Sequence, residues 1–252
     1  MIYGLTPVKA AQALLGRLAA IEVNALLQLG IEVLEKQDHQ RFLIRMGQHT
    51  FTTKSDTPLV PGREYWVEMA QTREGIVHLR RIHPKPLLLQ KTLPEGFDLR
   101  FLKEIAKTSD PTNRLRERLL QAMATTESKT HFQNLTQLLL SLHQGVVTLP
   151  IEERGRKMLL QMRKRKRNEV LNEKSVEFYA AMNNLGPVEG TLYLSGGRRT
   201  LVLELFYPKS VSLLEREKGN LEGFDRVEIR HRTEAVHPFW DGERPGLLDI
   251  KG

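Results

Sequence analysis

The residues best suited to chemistry are Ser195-Gly196-Gly197-Arg198-Arg199, where successive backbone amides and two guanidinium groups could cradle a phosphate. The same string lies between two alternating apolar stretches, and Gly-Gly supplies the positive φ that a two-residue hairpin requires, which makes the hairpin the stronger reading. A second candidate is the run Arg163-Lys164-Arg165-Lys166-Arg167. It could attract nucleic acid or an acidic partner surface, or it could be a solvated strand edge whose charges discourage edge-to-edge pairing. A third is the interleaving of Phe42, Phe51, Tyr65 and Trp66 with Arg41, Arg45, Lys54, Arg80 and Arg81, a composition suited to stacking on a single nucleic-acid strand. Tyr65 and Trp66 are neighbours in an extended stretch and face opposite sides, so only one of them can serve such a surface.

Bond-making machinery is harder to find. The sequence has no phosphate-binding P-loop, no dinucleotide glycine fingerprint, no histidine pair at metal-ligand spacing and no glycine-flanked serine elbow. Its eight histidines, His39, His49, His78, His83, His131, His143, His231 and His237, are scattered singly. Glu152 and Glu153 are adjacent, so their side chains diverge on either a strand or a helix. The chain has no cysteine, which excludes disulfides, thiol nucleophiles and thiolate metal sites. The expectation is a protein that is not an enzyme, with no catalytic residues, no cofactor and no metal.

The elements that must position these residues follow from patterning. The chain has 252 residues and a formal net charge of +8. The segment 151–170 carries a net +5 and residues 171–252 carry −2, so the basic character is local. No apolar run approaches the roughly 18 residues of a membrane span, and the first residues do not resemble a cleavable secretory signal, which points to the cytoplasm. Thr6-Pro7 predicts a helix start with Val8, Ala11, Leu14, Leu15, Leu18 and Ile21 on one face. Five short alternating strands between Leu26 and Ile82 then predict a small closed barrel of the OB or SH3-like type. Pro84-Lys85-Pro86 reads as a linker. Asp110-Pro111 starts a helix with Leu115, Leu119, Leu120 and Met123 inward, and a second runs from about Lys129 to His143, closed by Gly145. Lys157–Arg165 fits strand better than helix, because Met158, Leu160 and Met162 alternate. Trp240 to Gly252 reads as a loosely ordered tail.

Beyond Gly145 the pattern is strand, basic strand, strand, turn, strand, glycine hairpin, strand, helix, strand. Val146-Val147-Thr148-Leu149-Pro150-Ile151, the stretch Val176 to Met182, the turn Asn183-Asn184-Leu185-Gly186-Pro187 and the following Val188 and Leu192 together resemble the C-terminal domain of flagellar hook-length control proteins. The resemblance covers roughly residues 145–232. It implies a non-enzymatic protein–protein component of flagellar assembly that acts on type III export specificity. Its partners would be the cytoplasmic domain of the export-gate switch protein and hook proteins, and it would be cytoplasmic or itself exported. The partner-binding residues it implies are Val188, Leu192 and Leu194, flanked by Glu189, Arg198 and Arg199; which strand face is outward stays open. The long Pro/Gln/Ser-rich segment of larger members is absent, which favours docking over measurement. The alternative function is a nucleic-acid-binding small-barrel protein using Arg163 to Arg167.

The expected fold is thus α+β. It comprises a helix plus small β-barrel in residues 1–84, a helical segment in 85–144, and in 145–252 a mixed unit of antiparallel strands with one helix and a C-terminal tail.

Overall fold

The structure, a computed structural model, describes residues 29–71, 77–90, 99–153, 156–165, 174–221 and 223–241. The helix expected after Thr6-Pro7, Lys166 and Arg167, and residues 242–252 of the expected tail lie outside these residues.

Alternation builds the first sheet. Strands β1 (Leu29–Lys36), β2 (Arg41–Met46), β3 (His49–Lys54), β4 (Glu64–Gln71) and β5 (Val77–Pro84) turn Ile31, Val33, Phe42, Ile44, Tyr65, Val67 and Leu79 onto one buried cluster with Leu59. The pairings run β1-β2-β3-β5-β4 and return from β4 to β1. Between β3 and β5 the ring is stitched by one parallel bridge, Lys54 to His78. The sheet is therefore curled with a weak seam, not the fully paired OB or SH3-like barrel expected from counting strands. The β4–β5 register shifts between Trp66 and Glu68, and across the shift Arg81 takes a left-handed conformation at φ 46.

Among the described residues four helices follow: α1 (Leu87–Gln90), α2 (Leu99–Ile105), α3 (Pro111–Thr125) and α4 (Lys129–His143). Asp110 caps α3 by accepting from the Asn113 N–H at 3.0 Å, with Pro111 at the first position, and Ser128 caps α4 through His131 N–H at 3.3 Å. Gly145, at φ 79, ends the last helix in the left-handed region. These helices are not a layer of their own, as a helical middle segment would require. α1 lies against the strand Arg156–Lys164 and α4 against the strand Val146–Glu153 of the second sheet, and their leucines join that sheet's core.

The second sheet contains β6 (Val146–Glu153), β7 (Arg156–Lys164), β8 (Lys174–Met182), β9 (Gly186–Ser195), β10 (Arg198–Leu205) and β11 (Arg226–His231), in the order β11-β10-β9-β8-β7-β6. Helix α5 (Pro208–Arg216) and a short 3-10 turn (Lys218–Asn220) connect β10 to β11, which runs parallel to β10. A one-helix unit of antiparallel strands is thereby corrected: a crossover connection makes the last pair parallel. Strand residues outnumber helical ones among the described residues, so the α+β assignment gives way to a predominantly β protein of two sheets clothed by short helices. Among the described residues no helix is long and apolar enough to cross a membrane.

Registers assign the sheet's faces. One face carries Val176, Phe178 and Ala180 of β8, Val188, Gly190 and Leu192 of β9, and Leu201, Leu203 and Leu205 of β10, all buried. The opposite face carries the rows Gln161–Tyr179–Glu189–Glu204 and Arg163–Glu177–Thr191–Val202.

Candidate interaction surface

Gly196 and Gly197 lie at φ 54 and 80 between the paired residues Ser195 and Arg198, the geometry of a two-residue hairpin. Arg198 and Arg199 are exposed at its tip. The Arg199 backbone N–H donates to Asp225 Oδ2 at 2.7 Å, which ties the hairpin to the approach to β11. Among the described residues the group that reaches Arg199 is the Asp225 carboxylate, which would repel a phosphate.

Val188 and Leu192 are 0 % and 3 % exposed, so they are core residues and not the docking patch expected of them. Their parity is the buried one, and strand alternation leaves Glu189, Thr191 and Tyr193 to face outward. Leu194 is half-buried near the hairpin. Glu189 is held by Arg232, whose guanidinium also lies 4.0 Å from Glu204 and 3.8 Å from Glu234.

The outward face divides in two. Residues 232–241 cross it as a strap from the end of β11 to β7. Arg232 sits over Glu189 and Glu204. Phe239 lies under the Arg163 guanidinium, 4.0 Å from the ring centroid. The Gln161 amide then grips the Trp240 backbone twice, donating to its carbonyl and accepting from its N–H at 3.1 Å. Trp240 is buried, so the expected loose tail begins with an anchored residue. Beneath the strap the Tyr179 phenol is fully enclosed, and burial, with the nearby Asp241 carboxylate, pushes its pKa well up.

Beyond the strap the face carries the half-buried Glu177, Thr191, Tyr193, Thr200 and Val202, which no other element among the described residues crosses, flanked by the charged edge Arg226, Glu228 and Arg230. Arg163 and Arg165 converge on Glu177 (2.7 and 3.5 Å), and Arg165 donates to the Tyr193 hydroxyl at 3.0 Å. Alternation turns Lys164 to the other face, so the described part of the basic run is neither continuous nor free. The hydrogen bond from Arg230, with Arg226 close by, holds the Glu228 carboxyl below its ordinary range.

The aromatic candidates of the first sheet are interior. Phe42, Tyr65 and Trp66 are buried and Phe51 packs partly on the same core as Phe42, so no stacking platform forms. Arg41 and Arg45 pair with Asp38 and Glu32, and Arg81 with Glu68. Trp66 belongs to the core of the second sheet and donates its indole N–H to the Asn183 carbonyl at 3.2 Å. Beside it Lys85, expected in a linker, is buried and donates to Glu64 Oε2 (2.8 Å) and Asn183 Oδ1 (3.2 Å). The Tyr207 hydroxyl donates to the Arg81 carbonyl at 2.9 Å, and burial pushes that phenol's pKa up as well. His83 stacks on Trp66 and lies 5.5 Å from the His237 ring.

Sequence reasoning missed the strap, its Gln161 anchor and the Glu177 node. A lone glutamine in an apolar strand was the one available signal, since a buried amide must find partners. Among the described residues no group of three or more His, Asp or Glu side chains is placed to hold a metal ion. Comparison with protein-family models, with curated proteins and with solved structures finds no match.

Proposed function

We propose that the chain is a non-enzymatic docking component of flagellar assembly, of the hook-length control kind, acting on the cytoplasmic domain of the export-gate switch protein. One observation carries this reading. The Leu185-Gly186 turn, on which the resemblance rests, is the joint between sheet and helix. Leu185 is buried, Gly186 takes φ 78, and Ser210 in the first turn of α5 donates its hydroxyl to the Leu185 carbonyl at 2.9 Å. A dipeptide with that structural duty supports membership in a unit of this kind.

Docking then uses the open part of the outward face, with Thr191, Tyr193 and Thr200 at its centre and Arg198 and Arg199 at its rim. Such a component works on the cytoplasmic side of the export gate or passes through it. The test is capture of the purified chain on the immobilised cytoplasmic domain of the switch protein. Wild type should bind, and the pair Thr191→Arg with Tyr193→Ala should weaken binding about tenfold or more with the melting curve unchanged. Failure of the wild type to bind refutes the reading. Retention on oligonucleotides that falls steeply with salt would put the polyanion alternative in its place.

A further inference from the structure

The strap is held differently from the elements around it. Residues 232–241 form neither helix nor strand, so most of their fastening is by side chains. The ends are fastened by Arg232 to Glu189 and by the Gln161 amide to Trp240, with Arg63 3.9 Å from Asp241. The middle is fastened at His83. Val236 is fully buried, its backbone bonds to the His83 ring, and the His237 ring lies 5.5 Å away. A segment with so few backbone bonds opens at a smaller free energy than the ladders beneath it.

Trp66, Phe206 and the strap enclose His83. Trp66 is its cross-strand partner in β4 and stacks on it, and Phe206, 6.0 Å away, is fixed between β10 and α5. The strap is therefore the side that can move. The surrounding charged and titratable groups are engaged elsewhere. Arg81 and Lys85 of β5 pair with Glu68 and Glu64 of β4, and the Tyr207 hydroxyl donates to the Arg81 carbonyl. The His231 ring bonds to the Phe206 carbonyl, and Arg232 and Glu234 of the strap lie 3.8 Å apart. Among the described residues no carboxylate pairs with His83, and the titratable group it faces is a second imidazole. A proton on His83 is thus buried without a counter-ion, and it reaches water where the strap lifts away.

We propose that the strap is a pH-sensitive cover, which protonation of His83 releases to bare Gln161 and Tyr179 on the outward face of the second sheet. With the strap closed, burial holds the His83 pKa down from 6.5 to about 4, and with it open the ring meets water and returns towards the ordinary value. Opening therefore takes up a proton. It is indifferent to pH above the ordinary value and is favoured as pH falls through that window. From about pH 7 to about pH 5 the opening constant rises about twentyfold. This inference is independent of the functional reading above.

Hydrogen exchange of the full chain, corrected for the intrinsic effect of pH, reads the opening amide by amide. The Trp240 N–H, bonded to Gln161, should lose protection about twentyfold between about pH 7 and about pH 5. At both values it should be less protected than the amides of β8 and β9, which marks an opening smaller than global unfolding. His83→Leu, or His83→Phe where the leucine variant unfolds, removes the titrating group and should abolish the pH dependence. Strap protection that does not change with pH overturns the proposal, as does a folded His83 variant that keeps the change. Strap amides as protected as those of β8 and β9 at both values also overturn it, because the strap then opens only with the whole fold.

Discussion

Lowering the pH from about 7 to about 5 should destabilise the protein by about 2 kcal/mol through His83 alone. The ring is 2 % exposed, stacks on Trp66 at 5.9 Å between centroids, and bonds to the backbone of Val236 in the strap. Burial, with His237 nearby, pulls its pKa down from 6.5 to about 4. The folded protein therefore refuses a proton that the unfolded chain accepts. The contribution of His83 to stability is fully present above the unfolded value, falls as pH drops through the window from 6.5 to about 4, and is lost below it. At about 1.4 kcal/mol for each tenfold change in proton affinity, the whole window is worth about 3 kcal/mol and the part above pH 5 about 2. That is a sizeable share of a typical folding free energy. The assay is urea unfolding followed by intrinsic fluorescence. The chain's two tryptophans, Trp66 and Trp240, are both buried, one stacked on His83 and the other in the strap. His83→Leu removes the titrating group and should flatten the pH dependence while lowering stability at neutral pH. A wild-type midpoint that does not move between these pH values, or a His83→Leu variant that keeps the full slope, would refute the reasoning.

Other outcomes follow from the same contacts. Gly190→Ala places a methyl 2.5 Å from Phe178 Cζ and 2.4 Å from the Val202 carbonyl oxygen, so it should cost about 1–3 kcal/mol in denaturant unfolding. Unchanged stability would mean that the ring does not lie over that glycine. Gln161→Leu removes both bonds to the Trp240 backbone and should lower stability by about 1–3 kcal/mol. It should also speed proteolytic cutting between residues 232 and 241, and a cleavage pattern identical to wild type would argue against the anchor. Leu192→Asp buries a carboxylate in the core and should cost about 4 kcal/mol or more, so that its circular dichroism shows unfolding. A folded Leu192→Asp that merely lost a partner would return that residue to the surface.

What the residues alone determined is local. The Asp110-Pro111 and Ser128 caps, the left-handed Gly145, the Gly196-Gly197 hairpin and the alternation of β8, β9 and β10 each depend on neighbours within a few positions, and short-range sterics and hydrogen bonds specify them. The inward parity of β9 is legible as well, since Val188, Leu192 and Leu194 share one parity and Glu189, Thr191 and Tyr193 the other; what covers the apolar face is not, because the helices packed on it come from distant segments. The joining of α4 and α1 to the second sheet, the parallel placement of β11 and the thin seam between β3 and β5 are likewise long-range outcomes. Trp66 shows the reason most plainly. Its strand neighbours Tyr65 and Val67 point into the first core, while it points out of that sheet and finds Asn183, 117 positions away. Nothing within a local window distinguishes an aromatic bound for solvent from one bound for a second core. Buried Lys85, the Gln161 amide and the 232–241 strap obey the same rule: a polar group or a tail segment declares its role only when the surfaces that enclose it have come together.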